Sequence, residues 1–375
     1  MRRHFGLGAA ALTLAPLAAG AQGSLSRQGF GYPPGELSAR SLATGGALGE
    51  FDPQSPINPG SLAAWGRSGF SLQYAPEILS VNAGGLTERT RTLRFPVIGG
   101  ALRVSNRLVL GLTAATLLDR TWSTRFSSQK IVAEDTIDGT FVFRSVGAIN
   151  DIRFAVSWLF GQSLVAGMGV HVLTGRNDTF AGASFESPYQ SFSESKIYSF
   201  SGAAASVGAD WRLSRTVALA ASARAGGTMR AVQGDSVVVT ADVPARLGGS
   251  VRFDGVPGTT IAARVSWDGW SSMARLSSGS LEPKDTWEGA FGVEGAGPRF
   301  GERVLTLRGG TRWRTLPFAV SGDQVREMSF AFGGGVPLAG ERAALDLTAL
   351  RARRSGVQGL SETGWTIGVG VTVRP

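Results

Sequence analysis

Hydrophobic and polar residues alternate along most of this chain. Near its end, apolar side chains occupy every second position from Trp365 to Val373, and Thr or Gly fills the positions between them. The same period of two recurs around residues 152–160, 261–267 and 345–349. Successive side chains of a strand point to opposite faces, so the pattern predicts half-buried strands rather than helices.

Two kinds of connection separate the predicted strands. Short turn signals lie near residues 105, 161, 214, 256, 299 and 340. Longer polar stretches cover residues 82–89, 123–138, 176–195, 271–285, 317–325 and 353–361. Short and long connections alternate, which is typical of an antiparallel meander with tight turns at one rim and loops at the other. The runs amount to roughly fourteen strands, and both termini then lie at the short-turn, periplasmic rim.

The two faces of these strands distinguish a membrane barrel from a soluble sandwich, whose apolar faces pack against each other. Here the second face is rich in Gly, Ala, Ser and Thr with isolated Asp and Arg. Trp158, Phe160, Trp211 and Phe253 lie beside short turns, as in the aromatic girdle of a barrel. We therefore predict an all-β fold, a transmembrane antiparallel β-barrel with its apolar face in lipid and its Thr/Gly face towards the lumen. A soluble β-protein is the alternative.

The N-terminus predicts export. Two arginines precede an apolar stretch, and an A-x-A motif ends at Ala21, which is the order of a secretory signal peptide. No later apolar run is long enough for a transmembrane helix. The next forty or so residues contain many prolines and break the alternation. We divide the chain into a signal peptide 1–21, an N-terminal hatch or plug segment 22–66, and an outer-membrane barrel 67–375.

Composition narrows the chemistry that such a barrel can hold. The 375 residues include 53 Gly and no Cys, which disfavours long helices and removes disulfides, thiolate metal sites and Cys nucleophiles. Only two His are present, so we expect no metal and no cofactor. The formal charge of +9 comes mostly from Arg residues scattered singly along strands. We expect outer-membrane lipid as a partner and no nucleic acid, and a monomer is the simplest expectation.

One pair of motifs in the predicted hatch resembles a known family. The stretch ARSLATGGA at 39–47, followed by SPINPGSLA at 55–63, is similar to the N-terminal segment of the long-chain fatty acid transporter (FadL-like) outer-membrane family. The resemblance implies a fourteen-stranded barrel with a hatch in its lumen, and it assigns Gly45, Gly46, Asn58 and Pro59 to that hatch. The alternative for Asn58 and Pro59 is a simple turn into the first strand.

The same resemblance implies a transport route. Members of that family pass a hydrophobic molecule from an extracellular groove into the barrel and out sideways, near a kink in the third strand. In this chain the third predicted strand is 107–122, and Asp119 and Arg120 interrupt its apolar face. We expect the kink there.

Two sets of residues are candidates for contacting a ligand. Aromatic residues in the predicted loops could form an apolar capture site, and they are Trp122, Phe126, Phe180, Phe185, Tyr189 and Phe192. Luminal arginines could hold a carboxylate, and they are Arg153, Arg264, Arg308 and Arg312. The alternatives are that the aromatics pack the loops themselves and that the arginines pair with luminal acids, as buried charges usually do.

Three functions remain open from the sequence. We expect a channel for passive uptake of hydrophobic small molecules, either long-chain fatty acids or aromatic hydrocarbons. A non-transporting barrel that acts as a binding or secretion scaffold is the second possibility. A membrane-embedded lipid hydrolase is the least favoured, because His171 has no Ser beside it on its own strand and Gly234-Asp235-Ser236 falls in a surface loop.

Overall fold

The computed structural model describes residues 30–83, 86–94, 96–132, 135–186, 189–276, 283–301, 303–320, 323–340, 342–357 and 360–374. The predicted signal peptide 1–21 lies outside these ranges. Eighteen strand segments form one sheet: β1 Gly69–Tyr74, β2 Glu77–Ala83, β3 Leu86–Thr92, β4 Val97–Arg103, β5 Leu108–Asp119, β6 Trp122–Val132, β7 Asp135–Phe160, β8 Leu164–Phe185, β9 Phe192–Arg212, β10 Val217–Gln233, β11 Ser236–Asp242, β12 Arg246–Val256, β13 Thr259–Asp268, β14 Thr286–Phe300, β15 Arg303–Val320, β16 Asp323–Leu338, β17 Ala343–Val357 and β18 Leu360–Val373.

The sheet closes on itself as an antiparallel barrel. The last segment, β18, pairs with both β1 and β2, and these two pair in turn with β4 and β3. Four barrel strands consist of two segments each, namely β1 with β2, β3 with β4, β5 with β6, and β11 with β12, so the eighteen segments make fourteen barrel strands. The predicted fold class is confirmed, and closure leaves no unpaired edge in the bilayer.

The strands are longer than the sequence pattern predicted. Stretches expected to be long loops are mostly strand: Ala83 pairs with Leu86, Val132 with Asp135, and Val320 with Asp323, so the strand ladders continue into the predicted loops. The expectation of long loops there was wrong because polar residues also suit strands that continue past the hydrocarbon into water. The predicted loop at 271–285 differs, since a 3₁₀ helix, Trp270–Leu276, follows β13.

The faces of the barrel follow the prediction. Trp158, Val265 and Ile367 point outwards with exposed fractions of 42%, 54% and 47%. Exposed apolar residues occur on most strands of the barrel. A bilayer requires such an apolar band on the outer face. No helix among the described residues is long and apolar enough to cross a membrane.

The N-terminal segment lies inside the barrel as a hatch. It contains one short α-helix, Ala39–Ala43, and one 3₁₀ helix, Pro59–Trp65. The Ser38 side chain caps the first helix by accepting a hydrogen bond from the Ser41 backbone N–H, which satisfies one of the free donors at the helix start. Residues 30–62 of this segment are almost entirely buried, so the predicted luminal hatch is confirmed as part of the fold.

Candidate functional site

Luminal glycines allow the hatch to pack directly against the barrel wall. A Cβ atom added at Gly167 would lie 2.5 Å from the Pro59 carbonyl carbon, and one at Gly111 would lie 2.7 Å from Leu62 Cδ2. Both distances are shorter than real side-chain contacts allow. The Gly-rich inner face therefore has a steric role, since any larger side chain there would push the hatch away.

Charged residues fasten the hatch at several points. Arg40 forms a 2.6 Å ion pair with Glu294 on β14, and Glu50 lies 3.3 Å from Arg264 on β13. Inside the hatch, Ser41 and Ser55 donate to the Asp52 carboxylate at 2.7 and 2.9 Å, and Ser38 donates to it as well. Buried carboxylates are tolerated only when they are paired in this way.

The four predicted hatch residues all lie in this buried segment. Gly45 and Gly46 have φ values of 66° and 95°, which L-residues rarely adopt. Asn58 caps the 3₁₀ helix by accepting from Gly60 N at 2.8 Å and donates to the backbone oxygens of Glu50 and Ala209. Pro59 is the first residue of that helix. Asn58 therefore acts both as a turn-former and as a contact from the hatch to the wall.

Tyr32 joins the hatch to a group of buried charges. Its ring lies 4.6, 5.0 and 4.5 Å from the guanidinium carbons of Arg94, Arg314 and Arg354. Its hydroxyl donates to Glu327 at 2.9 Å and accepts from Arg354 at 2.8 Å. Burial raises the pKa of the Tyr32 hydroxyl, so the hydroxyl stays protonated and can donate.

A further buried hatch acid, Glu36, faces arginines on β10 and β12. Its carboxylate lies 3.4 Å from Arg224 and 3.8 Å from Arg246. Burial raises the pKa of Glu36 to about 7, although Arg224 acts in the opposite direction. Its charge is therefore sensitive to pH near neutrality.

The third barrel strand breaks where the sequence predicted a kink. Segment β5 ends at Asp119 and β6 begins at Trp122, leaving Arg120 and Thr121 outside the ladder. Tyr32 pairs with Asp119 across this break, donating to its backbone oxygen at 2.7 Å and accepting from its N–H at 2.9 Å. The hatch therefore contacts the barrel wall directly at the break.

Beyond the hatch, the lumen contains a cluster of buried apolar side chains. We name this cluster of buried side chains the apolar compartment; it comprises Phe30, Leu117, Leu118, Ile149, Leu173, Phe200, Ala204, Met229, Ala231, Ala241, Val243, Trp270, Met273 and Leu276. Phe30 comes from the hatch and lies edge-on to Trp270, with the ring centroids 6.0 Å apart. One side chain of the N-terminal segment thus occupies space that a hydrophobic ligand could fill.

A cavity of about 390 Å³ adjoins the apolar compartment at the strand break. It is lined by Arg120 from the break, by Phe200 and Leu276 from the compartment, and by Phe143, which is 38% exposed. The cavity therefore extends from the core of the outer lumen to the surface. Its volume lies within the ordinary range of small-molecule sites.

Two of the six predicted capture aromatics line this cavity. Trp122 and Phe180 line the cavity. Phe185 instead packs edge-on against Phe141, with the centroids 5.9 Å apart, and Phe192 is 60% exposed. The Tyr189 backbone N–H bonds Glu186, and the side chain of Phe126 lies outside the described part of the structure. A ligand-binding role remains a prediction for all six, of which Trp122 and Phe180 line this cavity.

Three of the four predicted luminal arginines pair with acids in the described part of the chain, and the fourth does not. Arg264 pairs with Glu288 at 2.6 Å, Arg308 with Asp346 at 2.5 Å, and Arg312 with Glu327 at 3.3 Å. These three follow the alternative that buried charges are paired. Arg153 differs from them: it is 1% exposed, and none of its guanidinium nitrogens has a hydrogen-bond partner among the described residues. A role in ligand binding remains a prediction for all four.

Sequence reasoning missed the polar group around His171. His171 Nδ1 lies 2.8 Å from the Asp151 carboxylate, and Nε2 lies 2.8 Å from Ser206 Oγ. The serine is absent from the histidine's own strand, as the sequence indicated, but the neighbouring strand β9 supplies it. No cluster of three or more metal-binding His, Cys, Asp or Glu side chains occurs within the described ranges.

Comparison with solved structures gives the same fold. The chain superposes on a Pseudomonas aeruginosa FadL homologue with a TM-score of 0.64 at 13% identity, covering 92% of this chain and 99% of the other. It superposes on the Ralstonia pickettii toluene transporter TbuX with a TM-score of 0.60 at 14% identity, covering 91% and 99%. The toluene transporter TodX of P. putida gives 0.59 at 13% identity, with 91% and 99% covered.

These similarities bear on the fold. No family model matches the sequence, and the comparison with curated proteins gave no match. The FadL-like resemblance of the hatch motif is therefore matched by the architecture of the whole chain, from the luminal hatch to the fourteen-stranded barrel.

Proposed function

We propose that the protein is a bacterial outer-membrane channel for passive uptake of hydrophobic small molecules. The observation that carries the proposal is the path formed by the apolar compartment and the adjoining cavity at the break in the third strand. Ligand sites are mostly apolar with a few placed polar groups. The compartment is apolar, and the cavity adds charged side chains such as Arg120 and Lys196. The apolar outer face provides the contact with membrane lipid, and the protein acts as a monomer without catalysis of the transport step.

The ligand enters the outer lumen, displaces Phe30 from the apolar compartment and leaves sideways at Arg120 and Thr121. The hatch stays in place during this passage. This route follows from where apolar and charged contacts lie: the path to the break is lined mainly by apolar side chains, whereas a path through the hatch would separate Arg40 from Glu294 and Glu50 from Arg264. Glu50 and Arg264 are both buried, and leaving one partner of a buried pair uncompensated is strongly unfavourable.

The substrates we propose are long-chain fatty acids or aromatic hydrocarbons. Toluene transporters share the fold, and the cavity combines aromatic side chains with Arg120 and Lys196, so both a neutral and an acidic ligand find suitable contacts. Uptake of radiolabelled oleate and toluene into liposomes that contain the purified protein tests the proposal and separates the two classes.

Variants of the cavity make that test specific. Trp122→Ala and Phe180→Ala are expected to slow uptake, since both side chains line the cavity. Phe192→Ala is the matched control, because this aromatic residue lies at the same rim of the barrel but is exposed. No uptake of either class by the folded protein would favour the binding or secretion scaffold instead.

A further inference from the structure

Three side chains on neighbouring strands form a Ser–His–Asp arrangement inside the barrel. Asp151 lies on β7, His171 on β8 and Ser206 on β9. Ionised Asp151 can only accept, so His171 Nδ1 carries a proton and donates to it at 2.8 Å. In the neutral ring Nε2 then accepts the hydroxyl proton of Ser206, also at 2.8 Å. These are the contacts that activate a serine nucleophile.

A positive group without a partner lies beside the serine. The Arg153 guanidinium is buried and has no hydrogen-bond partner among the described residues. A Cβ atom added at Gly169 would lie 2.8 Å from Ser206 Oγ and 3.3 Å from Arg153 Cδ. Gly169 therefore leaves a notch between the hydroxyl and the arginine, and unused donors next to a nucleophile are what a developing oxyanion requires.

The apolar compartment begins immediately beyond these residues. In the strand register Asp151 is opposite Leu173, and His171 is opposite Ala204. Both Leu173 and Ala204 belong to the compartment. A molecule with its apolar chain in the compartment would place its polar end at Ser206, so the arrangement suits an ester with an apolar acyl group.

We infer that the barrel hydrolyses carboxylic esters of apolar acids at Ser206, an activity that does not depend on the proposed transport. Ser206 Oγ attacks the ester carbonyl carbon while His171 Nε2 takes its proton. The oxyanion forms beside Arg153, and the C–O bond to the alcohol then breaks as His171 returns the proton to the leaving alcohol. Water adds to the acyl-serine by the same route and releases the acid and free Ser206. Asp151 positions His171.

The hatch covers this site at rest. Arg224 lies 3.3 Å from Asp151 and 3.4 Å from Glu36 of the hatch, and the Ser157 hydroxyl, on the same strand as Asp151, donates to Gly60 of the hatch at 3.2 Å. An ester reaches Ser206 from the apolar compartment, by replacing Phe30, so the activity should favour long acyl chains over acetyl esters.

The test uses the full-length protein folded in detergent micelles. A long-chain alkyl fluorophosphonate probe should label Ser206, as located by mass spectrometry of peptides, and p-nitrophenyl decanoate should be hydrolysed faster than the acetate. Ser206→Ala should abolish labelling and lower the hydrolysis rate at least about a hundredfold. Labelling should rise with pH as His171 loses its proton, and His171→Gln should remove that dependence.

The matched control is Ser222→Ala, which removes another buried luminal serine that has no histidine beside it. It should leave labelling and hydrolysis unchanged. Folding of every variant is checked by circular dichroism and by heat-dependent migration in gels. A folded wild-type protein that takes no label at Ser206, or a rate that is equal in wild type and Ser206→Ala, would overturn the inference.

Discussion

The inner and outer halves of the lumen are held together by different forces. In the inner half, the hatch is fixed to the wall by charged and hydrogen-bonded contacts such as those of Arg40, Glu50 and Tyr32. In the outer half, Phe30 packs among apolar side chains. Breaking one buried charge pair costs several kcal/mol, whereas a ligand can replace an apolar side chain with contacts of the same kind. We therefore expect the hatch to stay fixed to the wall, while a hydrophobic ligand can replace Phe30 in the apolar compartment.

The largest expected effect comes from removing the acid shared by the inner network. Glu327 lies within 2.7 Å of Arg314 and 2.6 Å of Arg354 and accepts from Tyr32. Glu327→Gln should lower the free energy of unfolding by about 3–5 kcal/mol, since it leaves buried arginines without their partner. Urea unfolding followed by tryptophan fluorescence measures the change. Glu194→Gln, which removes an exposed acid, should change it little.

A steric change at the wall should loosen the hatch itself. Gly167→Leu places a side chain where Pro59 lies, and overpacking of this kind costs about 1–3 kcal/mol. Single-channel recording in planar bilayers should show frequent openings in this variant. Gly289→Leu is the control, because a Cβ atom there meets nothing within 4 Å. Equal conductance in the two variants would show that the hatch does not depend on this contact.

A smaller effect is expected in the outer half. Phe30→Ala removes the side chain that competes with the ligand for the apolar compartment. Burial of such a side chain is worth about 1.5–3 kcal/mol, so a hydrophobic ligand should bind roughly ten- to a hundredfold more tightly. Displacement of a fluorescent fatty acid gives the dissociation constant. Phe332→Ala, at an outward position that is 63% exposed, should leave affinity unchanged.

The smallest expected effect is a dependence on pH through Glu36. Its pKa in the folded protein is about 7, above that of an unfolded chain, so its contribution to stability is complete below about pH 4.5 and is lost as pH rises through 7. Glu36→Gln should therefore flatten the fall in unfolding free energy between pH 5 and 8. The variant should gain little unfolding free energy at high pH, because Arg224 and Arg246 lose a partner in it. A variant as pH-dependent as wild type would exclude Glu36 as the cause.

Much of the architecture could be predicted because it depends on local pattern. Alternation at Trp365–Val373 is enough to place one face in lipid, and the charges at Asp119 and Arg120 mark the strand break. The strand ends could not be predicted in this way, because polar residues suit both a loop and a strand in water. Strand pairs such as Val132 with Asp135, inside a predicted loop, were therefore missed.

Contacts between strands depend on the register of strand pairing. The residue pattern of a single sequence does not reveal that register. Asp346 and Glu327 neutralise Arg308 and Arg312 from other strands, and Ser206 reaches His171 only because β9 pairs with β8 with Ser206 opposite Gly169. The partners of a candidate binding or reactive residue are therefore known only from the closed barrel, although the residue itself can be picked out in the sequence.

We propose that the hatch stays in place while a ligand leaves at the strand break. The chain has no Cys, and a Cβ atom at Gly368 would lie 3.8 Å from the Ala39 Cβ, a separation that suits a disulfide. The most direct test is liposome uptake by the Ala39→Cys, Gly368→Cys double variant, oxidised and reduced, beside the two single variants. Equal uptake with the disulfide formed, as verified by mass spectrometry, is the predicted result. Uptake that stops on oxidation and returns with dithiothreitol would contradict the claim.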